Sequence, residues 1–367
     1  MNFILLCNQL GVKPETDLSD VNQLLKIEHW CQTNIASHLQ FKGSEKEQFR
    51  SYLALAQFYL DTFLRHPTVH LAASRGFDKY LETVSPSELN QIDEHGLTAL
   101  HRAAQAGQVE TTKFLLSRGA NPLKRSPQLQ MPIDFALRMP VFFSPELRHR
   151  KIDIARLLIA SAQDMLNYVD LSGDTVLHRM VAQGFFELID ETLKIKPDLL
   201  RVTNTHGHYP IHTAVLNRQV ECVRILLGYS GVESQMDAKQ QTPLEYAFKL
   251  NAPDLMDLCV HALTDINRRN AFGETPLFLA AGAGNLILFK ELLVKGANIN
   301  AVDFDGNTIL HRAVLSGHID MVSWLLTHAD LDPFLSNKKG QTPLDVCKNE
   351  DIRSLFSARN GSGMTSL

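Results

Sequence analysis

A short segment returns along this chain about every 33 residues, and that period constrains the fold more than any other property. Gly273-Glu-Thr-Pro-Leu-Phe-Leu-Ala-Ala-Gly-Ala-Gly284 is one copy, and Gly96 to Gly107 and Gly306 to Gly317 are others. Self-similarity at this spacing means one supersecondary unit stacked on copies of itself. With the Thr of this segment as reference, the copies fall at Thr98, Met131, Thr175, Tyr209, Thr242, Thr275, Thr308 and Thr342. The steps are 33, 44, 34, 33, 33, 33 and 34, so the long step is one period plus an 11-residue insertion. A degenerate copy, His70 to Gly76, precedes the first.

Each position in the period has a physical reading. Two residues after the reference stand Leu100, Ile133, Leu177, Ile211, Leu244, Leu277, Leu310 and Leu344, which marks a core position. Five after it the residue is Ala in six copies, Met180 in the third and Cys347 in the last. A small residue there lets paired helices approach closely, and Met180 is expected to hold them slightly apart. The Thr is an N-cap, and Pro243, Pro276 and Pro343 follow it at the first helical position, where no N–H is needed. Met131 and Tyr209 lack the cap oxygen, a loss of about 1 kcal/mol each. Gly107, Gly184, Gly284 and Gly317 are expected to end the first helix in the left-handed conformation, with Arg218 and Asn251 in their place in other copies. A second helix carries paired leucines, such as Leu115-Leu116, Leu226-Leu227 and Leu292-Leu293, facing the neighbouring unit.

The Gly-x-Thr-Pro-Leu-His-like core in register resembles the ankyrin repeat family, whose unit is a β-turn and two antiparallel helices. The resemblance spans residues 67–357 and implies an all-α solenoid of about nine helix-pair units. It also implies that His101, His178, His212 and His311, at the fourth position of the core, make structural hydrogen bonds; His70 belongs with them. Residues 1–66 do not fit the repeat and read as two helices, expected to cap the array's apolar end. Residues 358–367 read as a flexible tail, with a last helix at Asp351 to Phe356 and a terminal Thr365-Ser366-Leu367 similar to PDZ-binding ends. The insertion, at 138–151, places Val141, Phe142 and Phe143 between Pro140 and Pro145, where helix is not expected.

Chemistry is sparse. A net charge of −4 gives no basic excess for nucleic acid. No apolar run reaches the length of a membrane span. Five scattered cysteines without a Cys-x-x-Cys pair suit free thiols in a reducing compartment. His206, His208 and His212 lie close in sequence, but a turn tip and the structural position account for them without a metal. No catalytic motif is present, and no cofactor or metal is expected.

Stacked repeats make extended binding surfaces, and the resemblance places them on turn tips and first helices. Apolar tips Phe272 and Phe304, with Tyr246 and Leu279 on nearby first helices, are candidate partner contacts. So are Arg102, Arg179 and Arg312, which occupy the first-helix position four after the reference, and Phe142 and Phe143 of the insertion. The expected function is a non-enzymatic, monomeric, cytoplasmic scaffold that binds a protein. The family occurs in eukaryotic regulators and in effectors that bacteria inject, and an effector would act in the host cytoplasm. The competing reading makes residues 1–66 the active module of an enzyme or ubiquitin-ligase-type adaptor, with the repeats recruiting substrate.

Overall fold

The computed structural model describes residues 69–140, 144–328 and 331–362. Residues 1–66, Phe142, Phe143 and the terminal Thr-Ser-Leu lie outside these, so the cap, the insertion phenylalanines and the PDZ-like end are not described. Two compact units divide between Asn167 and Tyr168.

In the first unit the helices are α1 (Val69–Arg75), α2 (Asp78–Glu82), α3 (Pro86–Leu89), α4 (Ala99–Ala106), α5 (Val109–Ser117), α6 (Pro132–Ala136) and α7 (Pro145–Ser161). In the second they are α8 (Val176–Ala182), α9 (Ile189–Ile195), α10 (Pro210–Leu216), α11 (Val220–Leu227), α12 (Pro243–Lys249), α13 (Pro253–Ala262), α14 (Pro276–Gly282), α15 (Leu286–Val294), α16 (Ile309–Ser316), α17 (Ile319–His328) and α18 (Glu350–Ser362). Short helices alternate with turns, and among the described residues the extended pairing is limited to two isolated bridges, Val169 with Thr175 and Val302 with Thr308. The last copy forms only a turn after Thr342, where α4 or α16 would have a first helix. The final helix runs to Ser362, beyond the expected end at Phe356.

The core follows the period. Leu100, Ile133, Leu177, Ile211, Leu244, Leu277 and Leu310 are buried, as are all eight small-position residues, Met180 included. Leu344 is half-buried, in the copy whose first helix does not form. Of each leucine pair, Leu115, Leu158, Leu226, Leu292 and Leu325 are the fully buried members. The expected left-handed helix ends hold, and Arg218 (φ 54°) and Asn251 (φ 46°) adopt that conformation despite their side chains.

The N-caps depend on the third helical residue as much as on the Thr. His101 Nδ1 lies 3.1 Å from the Thr98 N–H and 2.8 Å from its hydroxyl. Since Nδ1 accepts from the N–H, the proton sits on Nε2, which donates to Gln130 O at 3.2 Å in the next repeat. His178, His212 and His311 repeat this link to His208 O, Gln241 O and Gln341 O. Burial pushes the pKa of His101 and His212 down to about 4, so these rings are neutral bridges. Where Met131 and Tyr209 lack the oxygen, the other half of the cap is kept, because Asp134 and His212 accept the cap N–H at 2.7 and 3.3 Å. Phe278 stands where the histidine would, and Thr275 Oγ1 is left buried without a partner.

The described residues of the insertion include 144–151. Ser144 caps α7 and Pro145 takes its first position, so residues 145–151 are helical and extend the second helix of that repeat. Lys151 is buried, with Nζ donating to Phe135 O at 2.8 Å and to Ala104 O at 3.4 Å, near the ends of two first helices. Burial lowers its pKa to about 8.

Candidate protein-interaction surface

The turn tips are built by one side chain per repeat. Five residues before each reference stand Asp93, Ser126, Asp170, Asn204, Asp237, Asn270, Asp303 and Asn337. In seven copies the Oδ1 accepts from the backbone N–H groups two and four residues on, as Asn270 does from Phe272 and Glu274 at 2.9 Å each. Ser126 keeps only the second of these bonds, from Gln130. This Asx turn fixes the tip by a short local bond, and successive tips join through the backbone, with Phe304 N donating to Phe272 O at 3.0 Å. Sequence reasoning missed this element, although Asp or Asn recurs in seven of the eight copies at constant spacing.

The same position explains why the first-helix residues four after the reference are not free in solvent. Arg102 turns back onto Asp93, at 2.6 Å from the carboxylate, and Arg179 lies 3.9 Å from Asp170. Burial works against the charge on Asp93, but N–H groups of Leu97 and His95 and the Arg102 guanidinium hold its pKa below the usual carboxylate range. Tyr246 does the same with a hydroxyl, donating to Asp237 at 2.6 Å. Its ring packs edge-on against His208 and His212, and it is 8% exposed. Tyr246 is therefore interior, contrary to the exposed position expected for it. His212, with Nδ1 on the Tyr209 N–H and Nε2 on Gln241 O, has both nitrogens engaged by backbone.

Four of the candidate contacts do come together. Phe272, Leu279, Phe304 and Arg312 line one open groove of about 700 Å³ in the second unit, with Lys249 and Glu274 also on its wall. Phe272 and Phe304 are 59% and 53% exposed, the level at which an apolar ring contributes little to the stack. The Phe304 ring lies over Gly273, which has φ 80°; a Cβ there would sit 2.7 Å from both the ring and the Phe304 backbone nitrogen. The Arg269 guanidinium lies 5.9 Å from the Phe304 ring centre, while its NH2 donates to Val302 O. Arg312 differs from Arg102 and Arg179: it crosses over Gly282 and pairs with Glu274 of the preceding repeat at 3.5 Å. Asn270 ties that glutamate to Glu245, donating to them at 3.1 and 2.9 Å. A second groove of about 860 Å³, in the first unit, includes Arg102, Phe135 and the exposed Ile92, which the sequence reading passed over.

Comparison with known proteins agrees with this architecture. The family model "Ankyrin repeats (3 copies)" matches residues 40–126, 177–270, 250–337 and 284–357. Its first match begins inside the segment assigned to a cap. The human transient receptor potential cation channel subfamily A member 1 is 27% identical over 330 residues, covering 70% of this chain and 29% of that protein. The chicken nuclear factor NF-kappa-B p105 subunit is 25% identical over 217 residues, covering 57% of this chain and 22% of that one. This chain thus spans under a third of either relative. The crystal structure of the ankyrin repeat domain of Bcl-3 superposes with a TM-score of 0.50 at 21% identity, covering 72% of this chain and all of that one. With the period, the capped helix pairs and the family match over more than half of its length, the chain belongs to the ankyrin repeat family, whose arrays are protein–protein interaction scaffolds.

Proposed function

We propose that this chain captures a segment of a partner protein in the groove of its second unit, with Phe272 and Phe304 as apolar anchors and Leu279 and Arg312 beside them. The observation that carries this reading is the exposure of both rings on turn tips held rigid by Asx turns and tip-to-tip bonds. Exposed aromatics on a rigid frame are typical anchors. Arg102, Arg179 and Tyr246 are engaged with their own turns and are not carried into the contact.

The activity is taken to be non-enzymatic and cytoplasmic, the chain a monomer, and its ligand a protein rather than nucleic acid. Cys259, one of the buried thiols among the described residues, has its pKa pushed up to about 12 by burial and is unsuited to nucleophilic work. Among the described residues no helix is long and apolar enough to cross a membrane. The relatives named above are animal proteins, so the bacterial-effector reading gains nothing from them. The test is affinity capture with the wild type and a Phe272→Ala/Phe304→Ala variant, with mass spectrometry of retained proteins. A partner lost by the variant, at an unchanged thermal midpoint, supports the assignment; equal retention by both chains removes it.

A further inference from the structure

The second helices of two consecutive repeats bring three metal-ligating side chains together. Asp257 and His261 stand at i and i+4 on α13 and share one face. Glu291 comes from α15. One ligand atom from each lies within 4.8 Å of the other two, and His261 Nε2 is 3.5 Å from Glu291 Oε1. His261 Nδ1 bonds the Asp257 carbonyl oxygen at 2.8 Å. With Nδ1 donating to that carbonyl, the neutral ring presents an Nε2 lone pair toward the carboxylates, which is how backbone bonds orient metal-binding histidines.

A cation already stands there, since Lys295 Nζ is 3.0 Å from Glu291 Oε1. The His261 and Glu291 side chains are 58% and 31% exposed, so an ion in solution reaches them. The arrangement is not a by-product of the repeat. At the positions matching Asp257 and His261, the repeats at Thr98, Thr175, Tyr209, Thr275 and Thr308 carry Lys113 and Ser117, Asp190 and Lys194, Arg224 and Gly228, Lys290 and Val294, and Ser323 and Thr327, so none has the histidine.

We propose that Asp257, His261 and Glu291 form a zinc site that clamps the second helices of consecutive repeats. An imidazole with two carboxylates suits Zn²⁺, whereas an all-oxygen set would suit Mg²⁺ or Ca²⁺. Zinc needs ligand atoms at about 2.0–2.2 Å, so the three side chains close in around the ion by rotamer adjustment and water takes the fourth position. Bound zinc replaces Lys295 as the partner of Glu291.

The test is calorimetric titration of metal-free full-length chain with Zn²⁺, for wild type, His261→Ala and Lys295→Gln, with thermal midpoints measured in parallel. The other histidines give a background common to all three chains. Binding is expected to weaken by about tenfold or more in H261A, where a ligand is lost, and to tighten in K295Q, where the competing ammonium is gone. Zinc should raise the midpoint of the wild type and not that of H261A. Wild type and H261A titrating alike would overturn the site and mark the zinc as adventitious, and so would K295Q binding no tighter than wild type.

Discussion

Acidification should loosen this protein through its buried histidines well above the pH at which its carboxylates titrate. His101 is fully buried, its pKa pushed down to about 4 by burial against an ordinary value of 6.5. The folded ring is neutral: Nδ1 must accept the Thr98 N–H, and protonation would turn that acceptor into a donor. The unfolded chain therefore binds more protons between pH 6.5 and 4. The stabilisation is complete above 6.5 and is lost as pH falls through the folded value. From pH 7 to pH 5, a shift of this size costs about 2 kcal/mol for His101 and a similar amount for His212. The assay compares urea unfolding of wild type and His101→Gln at both pH values. Gln keeps an acceptor for the Thr98 N–H, but gives up the link to Gln130 O and the titration. H101Q is expected to be weaker at pH 7 by about 1 kcal/mol, and to lose about 2 kcal/mol less than wild type on acidification. Asp93 and Asp237, whose pKa values are lowered, change little in this window. An equal loss in both chains would refute the neutral-bridge account.

Three further outcomes follow from the packing. Thr275→Val should be neutral or stabilising by up to about 1 kcal/mol, because the buried hydroxyl it removes has no partner, whereas Thr308→Val, which breaks the bond to His311, should cost about 1 kcal/mol; chemical denaturation of the two variants checks the contrast. Lys151, with a folded pKa of about 8, lies below its unfolded value of 10.5, so stability should rise as pH climbs between these values, by up to about 3 kcal/mol. The same measurement on Lys151→Met should show no such rise. Gly273→Ala should displace the Phe304 ring and strain the tip turn, lowering partner capture more than a Phe272→Ala change alone, as read by the same pull-down.

Much of the architecture is legible in the period because each copy repeats the same short-range choices. The cap Thr98, the core Leu100, the bridging His101 and the close-packed Ala103 lie within six residues of one another. The buried residues at matching positions in later copies confirm the register. The Asx residue five before the reference was also available, since Asp or Asn recurs there in seven of eight copies, against Leu or Ile in all eight two after it. What the period leaves open is where a side chain turns at positions that vary between copies. Arg102, Tyr246 and Arg312 occupy the same repeat position, yet one pairs with its own turn, one is interior and one reaches the preceding repeat. Each outcome depends on a neighbour nine to thirty-eight residues away: Asp93, Asp237, or Glu274, which Arg312 reaches across Gly282. Lys151 likewise finds its carbonyls at Phe135 and Ala104, one of them 47 residues distant. Capping and core patterns are written in local sequence because their partners are one helical turn away; the groove exists because stacking brings different repeats' side chains within bonding distance, and no single period contains that information.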